Sequence, residues 1–398
     1  MKVLNVNCYE NKGGASIAVK QIHEALLENN IESKILVSEK NSNDKNIITQ
    51  SNFFSLISFK FRERFNRNFF KILNQKTTNT QSSGLIRSYL PYRINNINTD
   101  VVNLHWINNE MMSIKDLTRI KKPLVWTLHD LWPTSGIDHY TNEKNDGKSF
   151  IDNFIKKQKK KNWEKLFKII CPSTWILNKA KNSEILKNNE IKLIPHPIDI
   201  QKWKRINNKK EIKSLFNIDF NDNFKVLLFG AERATTNKRK GYQIALETAK
   251  KISEEKKIVL IIFGDDEKKT IKINDNLFII NLGYINDRYS LLRALYSLSD
   301  VMMVPSIEEA FGLTAAEASA TGTPVVTLSG TGTEDIIQDN FNGFVTKEDN
   351  FTECVLQLLN SEEKWKTFSF NGKLHIEKKF HPSKVANEYI KVYQEIIF

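Results

Sequence analysis

Short apolar runs alternate along the chain with segments whose apolar positions recur at helical spacing. In the first half, runs rich in Val, Ile and Leu predict buried strands, and ASIAVKQIHEALLENN predicts a helix between two of them. These predicted strands are KVLNVN, SKILVS, DVVNLHW, PLVWTLH and KIICPS. This alternation is typical of an α/β fold in which helices cover both faces of a parallel sheet.

The same pattern restarts in the second half, at FKVLLFGA, and continues through KIVLIIFGDD, LFIINLGY, DVMMVPS and TPVVTLS. A polar segment marked by proline, IPHPIDIQKWKRINNKK, separates the halves. The 398 residues suit two cores better than one. We therefore predict two Rossmann-like, doubly wound domains, 1–197 and 198–378, with a terminal helix in 379–398 that packs back on the first. Two such domains facing each other would form a cleft.

Ligands of open α/β sheets bind beyond the carboxyl ends of the strands. After the first predicted strand, Gly13 and Gly14 form a tight turn into a helix, whose free N–H groups can face an anion or a hydroxyl-rich ligand. A turn that merely needs positive φ explains the two glycines equally well. Neither GxxxxGK[ST] nor GxGxxG is present.

Two segments of the second half carry the clearest candidate chemistry. The strand FKVLLFGA leads into a basic turn before Gly241, and cations there are placed to neutralise a diphosphate, although a solvated turn is the alternative. In PSIEEAFGLTAAEASATGTPVV, the Phe-Gly-Leu turn presents amides at the start of a helix that ends at Gly322. Glu309 in the loop and Glu317 inside the helix would bracket one nucleotide sugar; alternatively they are a solvated pair. The basic turn contains Arg233, Lys238, Arg239 and Lys240.

The net charge of +13 lies almost entirely in the first half. Residues 1–200 contain 31 Lys and Arg against 19 Asp and Glu, whereas the remainder contains 28 against 27. Such asymmetry indicates a surface that meets anions, and a compositional bias toward Lys, Asn and Ile is the alternative. No apolar run reaches the roughly 18 to 20 residues that span a bilayer, and the first residues predict a strand rather than a signal peptide. We expect a cytoplasmic protein.

One basic segment, NFFSLISFKFRERFNRNFFKILNQK, predicts an amphipathic helix suited to an anionic membrane surface. A helix packed in the core with a solvated basic face is the alternative. KKQKKK, residues 156–161, is a second basic cluster. The apolar stripe of the predicted helix is Ile57, Phe61, Phe65 and Phe69, and the cations beside it are Lys60, Arg64, Arg67 and Lys71.

The order of these motifs resembles the retaining glycosyltransferases of family 4, which have the GT-B fold of two facing Rossmann-like domains. The motifs are NKGGAS, TLHDLW, CPSTWI, IPHPID, the KRKGY after FGA, LGYIND, LYSLSDVMMVPS and EAFGLTAAEASATGTPVV. The most specific element is the glutamate pair with seven residues between, before GTPVV. The segment from HWINNE to LWPTSG is also similar to bacterial enzymes that build surface polysaccharides.

The resemblance implies roles for individual residues. Gly14 would approach the donor phosphate or sugar, and His129 would reach the transferred sugar. Lys240 would bind the diphosphate, Glu309 the hexose hydroxyls and Glu317 the ribose; His129, Lys240 and Glu309 would be catalytic. The family usually has Arg after the strand-ending glycine, but Ala231 follows Gly230 here, so that Arg233 or Arg239 would substitute. Backbone contacts to the pyrophosphate would come from Gly312, Leu313 and Thr314.

We therefore expect a retaining glycosyltransferase that moves a sugar from a nucleotide donor to a glycan or lipid-linked acceptor at the inner membrane face. No metal site and no cofactor beyond the nucleotide-diphosphate sugar are expected. Retention by front-face attack and by a covalent intermediate both stay open. The alternatives are a GT-B epimerase or phosphorylase, and a basic nucleic-acid-binding protein, for which the sequence has no recognisable motif.

Overall fold

The computed structural model describes residues 1–49, 53–72, 80–141 and 150–398. The chain divides into two compact units. The first comprises residues 1–197 and 382–398, and the second comprises residues 198–381. The division between Pro197 and Ile198 coincides with the boundary that the sequence predicts.

The first unit is built on a parallel sheet of seven strands among its described residues, in the order β3-β2-β1-β4-β5-β6-β7. Its strands are β1 (Lys2–Val6), β2 (Glu32–Val37), β3 (Ile47–Thr49), β4 (Val101–Leu104), β5 (Leu124–Thr127), β6 (Lys168–Cys171) and β7 (Glu190–Leu193). Its helices up to residue 197 are α1 (Gly13–Glu28), α2 (Phe53–Ile72), α3 (Leu90–Asn96), α4 (Ile114–Leu117), α5 (Phe150–Trp163) and α6 (Thr174–Lys181). The strand order reverses between β1 and β4, which makes that position the topological switch point of this sheet.

The second unit contains another sheet of seven strands, in the order β10-β11-β9-β8-β12-β13-β14, with the switch point between β8 and β12. The strands are parallel except for β10, which pairs antiparallel with β11 at the edge. They are β8 (Lys225–Gly230), β9 (Ile258–Phe263), β10 (Lys268–Asn274), β11 (Leu277–Leu282), β12 (Val301–Val304), β13 (Val325–Leu328) and β14 (Gly343–Thr346). The helices are α7 (Lys209–Leu215), α8 (Tyr242–Ile252), α9 (Arg293–Leu298), α10 (Leu313–Thr321), α11 (Phe351–Asn360) and α12 (Glu362–Phe380).

The central strands of the second unit are buried on both faces, which is why they appear as continuous apolar runs in the sequence. Val226 and Leu228 of β8 face one core cluster, which includes residues of α9 and α10. Leu227 and Phe229 face the other, which includes residues of α8 and α11. The prediction of an α/β, doubly wound fold is therefore confirmed.

The last helix, α13 (Pro382–Ile397), belongs to the first unit. Its buried Val385 and Tyr389 pack in a cluster with Val3 of β1, Val101 of β4 and other apolar residues of that sheet and of α1. The predicted terminal helix thus covers one face of the first sheet and begins three residues after residue 379. Among the described residues, no helix combines the length and the hydropathy that crossing a bilayer requires.

Candidate functional site

The candidate residues of the second unit lie where β8 and β12 end, on the two sides of its switch point. The basic turn Lys238–Lys240 follows β8, and the loop with Glu309 follows β12. Lys240 Nζ lies 2.5 Å from Glu309 Oε2, so the two residues form an ion pair. Their side chains are 14% and 16% exposed, and both therefore border solvent at the mouth of the sheet. The structure brings these two predicted site residues into direct contact.

The turn before α10 depends on a glycine. Gly312 has a φ of 99°, and a Cβ at this position would lie 2.6 Å from Thr333 Cγ2. None of the described side chains caps α10, so the predicted backbone contacts of Gly312, Leu313 and Thr314 fall at a helix N-terminus suited to an anion. The helix ends at Gly322 in the left-handed conformation, as the sequence predicts.

Glu317 lies one turn inside α10 and is fully buried. One carboxylate oxygen pairs with Nη2 of Arg288, and the other accepts a hydrogen bond from the Tyr296 hydroxyl at 3.0 Å. Both oxygens therefore have partners within the unit, and Glu317 is not on the surface that carries Glu309. Its contact with a ribose stays a prediction. The sequence did not indicate its two structural partners, Arg288 and Tyr296.

The two arginines proposed to assist Lys240 differ in what they do. Arg239 Nη1 donates to the Glu308 carbonyl at 2.5 Å, so this guanidinium holds the β12 loop. Arg233 has a φ of 55°, its backbone N–H donates to Gly264 O, and its side chain is exposed. Of the two, Arg233 has the more solvent-accessible side chain for contact with an anion.

In the first unit, Gly13 begins α1 with a φ of 78°, and Gly14 is exposed in the first helical turn. The loop before them contains Tyr9, whose ring stacks on Trp106 at a centroid distance of 5.7 Å. Lys12 Nζ lies 5.1 Å from the centre of the Tyr9 ring. Tyr9 follows β1 and Trp106 follows β4, so this aromatic pair occupies the switch point of the first sheet. Sequence reasoning missed it, because it assigned the HW of DVVNLHW only to a strand end.

His129, at the end of β5, belongs to a buried hydrogen-bond chain that fixes its tautomer. Asn5 Nδ2 donates to Ser33 Oγ and to the Lys34 carbonyl, so Asn5 Oδ1 accepts from His105 Nε2 at 3.0 Å. The other nitrogen of His105 therefore accepts from His129 Nε2, also at 3.0 Å. The atom that His129 can offer to a ligand is then the acceptor Nδ1.

The charge of His129 follows from its burial. Burial lowers the pKa of His129 to about 4, although the neighbouring Asp130 carboxylate opposes the shift. The ring is therefore neutral near pH 7. As a neutral acceptor, His129 is suited to receive a hydrogen bond from a sugar hydroxyl and not to neutralise a phosphate.

The basic helix α2 exposes three of the four residues of its predicted apolar stripe, whereas Phe69 is half-buried and contacts the buried Phe70. Ile57, Phe61 and Phe65 are 49%, 66% and 44% exposed. Phe59 and Phe70, on the opposite face, are buried. The helix therefore packs in the unit and has a solvated basic face, as the alternative states, but it packs through the face opposite the predicted stripe. The four predicted membrane cations, Lys60, Arg64, Arg67 and Lys71, are all exposed, and Lys60 pairs with Glu39 at 2.9 Å.

The second basic cluster, residues 156–161, is not a uniformly solvated charge run. Lys159 is fully buried, and its Nζ donates to the carbonyls of Trp132, Ser135 and Gly136. The same ammonium lies 3.6 Å from the centre of a Trp132 ring. Lys159 therefore anchors the loop after β5. The sequence pattern did not distinguish this buried lysine from its solvated neighbours.

No described group of three or more His, Cys, Asp or Glu side chains is arranged to hold a metal ion. In the second unit, the candidate residues described above offer a ligand cationic side chains and backbone amides. In the first unit, they offer an imidazole and aromatic rings. An ammonium, a helix N-terminus and a carboxylate at one switch point suit a ligand that combines a diphosphate with hydroxyl groups.

Comparison with known proteins finds glycosyltransferases. Residues 211–375 match the family model of glycosyl transferases group 1. The capsular polysaccharide biosynthesis glycosyltransferase CapM of Staphylococcus aureus is 26% identical over 244 residues, which are 58% of this chain and 62% of that protein. The chain thus matches about three fifths of the length of this relative. The resemblance to glycosyltransferases is confirmed, whereas family 4 and retention stay predictions.

Solved structures share the fold along the whole chain. Sucrose-phosphate synthase from Thermosynechococcus elongatus has a TM-score of 0.70 at 16% identity and covers 99% of both chains. Anabaena HepE in complex with UDP and glucose has a TM-score of 0.67 at 13% identity, over 99% of this chain and 100% of that one. The GT-B fold predicted from the sequence is therefore confirmed.

Proposed function

We propose that this protein is a retaining glycosyltransferase that transfers a sugar from a nucleotide-diphosphate donor to a glycan or lipid-linked acceptor in bacterial polysaccharide synthesis. The observation that carries the proposal is the Lys240–Glu309 pair beside the start of α10, inside the segment that matches glycosyl transferases group 1. CapM, named for capsular polysaccharide biosynthesis, supports the pathway.

In the proposed reaction, the bond between the anomeric carbon and the β-phosphate oxygen breaks, and its electron pair stays on that oxygen. An acceptor hydroxyl bonds to the anomeric carbon, directly or after a covalent intermediate, and its proton passes to the departing β-phosphate oxygen or to water. Lys240, the amides of the turn at Gly312 and the exposed Arg233 stabilise the charge that grows on the phosphate. These groups supply the stabilisation without a metal ion. His129 Nδ1 accepts from a hydroxyl of the transferred sugar.

A thermal-shift screen against nucleotide sugars tests the donor class. Because HepE is described in complex with UDP, UDP-linked sugars are tested first, followed by GDP-, ADP- and TDP-linked ones. A ligand at 100 times its dissociation constant stabilises the protein by about 2.7 kcal/mol. Incubation of the best donor with lipid-linked and soluble glycans, with and without EDTA, then gives a product whose anomeric configuration is read by NMR.

Each alternative predicts a different experimental result. Release of the sugar without an acceptor, or a requirement for inorganic phosphate, would indicate an epimerase or phosphorylase. Salt-sensitive binding of DNA without any stabilisation by nucleotide sugars would indicate a nucleic-acid-binding protein. A product with inverted anomeric configuration would show that the protein is a glycosyltransferase but would contradict retention.

We also propose that the first unit docks on an anionic membrane through the outward face of α2. Exposed Ile57, Phe61 and Phe65 supply the apolar contact, and the neighbouring cations supply the electrostatic attraction. The opposite face is fixed to the unit, because Arg62 Nε donates to Glu110 O and Asn66 Nδ2 donates to Gln81 O. The helix can therefore present its stripe to a membrane without leaving its own unit.

Changing Lys60, Arg64, Arg67 and Lys71 to Gln is expected to weaken binding to anionic liposomes. Each cation near an anionic surface is worth about 1 kcal/mol, and Lys60 contributes less because it pairs with Glu39. The other three predict a roughly 100-fold lower partition coefficient in co-sedimentation. The matched control replaces four exposed lysines of the second unit, Lys209, Lys210, Lys250 and Lys251, by Gln. Equal loss in both variants, or no loss in the first, contradicts the assignment to α2.

A further inference from the structure

The ion pair at the switch point of the second unit joins two residues that have different proposed partners on the donor. Lys240 is assigned to the diphosphate and Glu309 to the hexose hydroxyls, yet their charged atoms are 2.5 Å apart. Ser306 Oγ lies 3.5 Å from the same Glu309 oxygen. A diphosphate that binds the ammonium therefore competes with Glu309 for Lys240.

The two loops do not depend on this ion pair for their contact. Ile307 N–H donates to the Arg239 carbonyl at 2.9 Å, and Arg239 Nη1 donates to the Glu308 carbonyl. Gly241 packs so closely on Pro305 that a Cβ would lie 1.9 Å from the Pro305 oxygen. The side chains of Lys240 and Glu309 can thus change partners while the backbone of both loops stays in place.

Glu309 is ionised in the pair. Burial alone would raise its pKa, but the nearby charges of Lys240 and Arg239 and the hydrogen bond from Lys240 more than compensate, so the pKa of Glu309 is lowered. A diphosphate that approaches Lys240 therefore meets a negative carboxylate beside it. Ser306 Oγ and the Ala310 N–H still donate to Glu309 when Lys240 leaves, but neither carries a charge. In the largely buried setting of this pair, a carboxylate that loses its countercharge is unfavourable.

We infer that Glu309 discriminates between the intact nucleotide sugar and the free nucleoside diphosphate by exchanging Lys240 for sugar hydroxyls. This inference rests on the proposed function. With the intact donor, hexose hydroxyls donate to the carboxylate that Lys240 has left. With the nucleoside diphosphate, no group replaces Lys240, and the carboxylate repels the phosphates. The exchange therefore weakens binding of the product relative to the donor and favours its release.

The test is the affinity for UDP measured by calorimetry in the wild type and in Glu309→Gln. The neutral amide keeps the size of the side chain, removes the repulsion and leaves Lys240 available to the diphosphate. We expect Glu309→Gln to bind UDP about tenfold more tightly, which corresponds to about 1.4 kcal/mol. Glu308→Gln is the matched control, because it removes the same charge one residue away, and its UDP affinity should stay within about twofold of the wild type.

The variants Lys240→Gln and Lys240→Gln/Glu309→Gln separate the two parts of the effect. Lys240→Gln should weaken UDP binding, and the added Glu309→Gln change should give a smaller gain than it gives alone, because Lys240 is no longer there to be released. Unchanged or weaker UDP binding by a folded Glu309→Gln protein overturns the inference. An equal gain in Glu308→Gln also overturns it, since a general charge effect then explains the result.

The outcome is distinguishable from failure of the proposed function. If the wild type binds none of UDP, GDP, ADP and TDP, the donor site itself is wrong, and the inference falls with it. If the wild type binds one of these nucleotides and transfers sugar while Glu309→Gln shows no gain in affinity for it, only the discrimination by Glu309 is wrong. Thermal unfolding of each variant without ligand verifies that the second unit is folded.

Discussion

Replacing Lys240 by alanine is expected to lower the turnover number by about 10² to 10³-fold, as does the loss of one preorganised group that stabilises transition-state charge. Negative charge on the β-phosphate grows as the glycosyl bond breaks, so the ammonium contributes more in the transition state than in the ground state. Affinity for the donor falls as well, because Lys240 is proposed to contact the diphosphate before the bond breaks.

Steady-state kinetics with the donor found in the screen measure this effect. Lys238→Ala is the matched control, because Lys238 lies in the same turn but is exposed, and it removes the same charge. We expect the control to keep its turnover number. An intact turnover number for Lys240→Ala at saturating donor contradicts the role of Lys240 in leaving-group stabilisation and leaves it only in binding.

The sequence predicted the central strands of both sheets because burial on two faces requires continuous apolar residues. It did not predict β3, β7, β10 and β14, which are the edge strands of the two sheets. All seven residues of β10, KKTIKIN, are exposed, so no core imposes an apolar pattern on them. Edge strands pair through their backbones, and backbone pairing leaves little trace in a single sequence.

The helix α2 shows a second limit of sequence periodicity. Both of its faces carry phenylalanines. The spacing of apolar residues therefore predicts an apolar stripe but does not indicate whether that stripe faces the core or the solvent. The buried face also carries Arg62 and Asn66, which satisfy backbone groups of Glu110, Gln81 and Ser83. These partners are distant in sequence, and a pattern within the helix cannot reveal them.

The candidate site was likewise predicted only in part from the sequence. The spacing of Glu309, Gly312 and Glu317 correctly predicted a loop, a glycine turn and a helix, because these features are local. The direct contact of Lys240 with Glu309 and the burial of Glu317 against Arg288 depend on how separate segments pack. Motif spacing therefore identified the residues, and only the fold distinguishes the carboxylate of Glu309, which borders solvent, from that of Glu317 in the core.

Glu317→Ala is expected to destabilise the second unit. The change removes a fully buried carboxylate and leaves the Arg288 guanidinium and the Tyr296 hydroxyl without the acceptor that they share. Breaking a buried ion pair by removing one partner costs about 3 to 5 kcal/mol. For a domain of this size, that loss lowers the melting temperature by roughly 6 to 20 °C. Calorimetric melting of wild type and variant measures the shift.

A double variant, Glu317→Leu with Arg288→Met, separates the structural role of Glu317 from the proposed contact with a ribose. Replacing both charges by apolar side chains of similar size is often neutral or stabilising, so the double variant should recover much of the lost stability. If its melting temperature recovers and UDP binds with wild-type affinity, Glu317 has a structural role only. If it recovers and UDP binds more weakly by about 1.5 to 3 kcal/mol, the loss matches a charged hydrogen bond to the ligand, and the ribose contact stands. A single variant that melts with the wild type contradicts the buried pair itself.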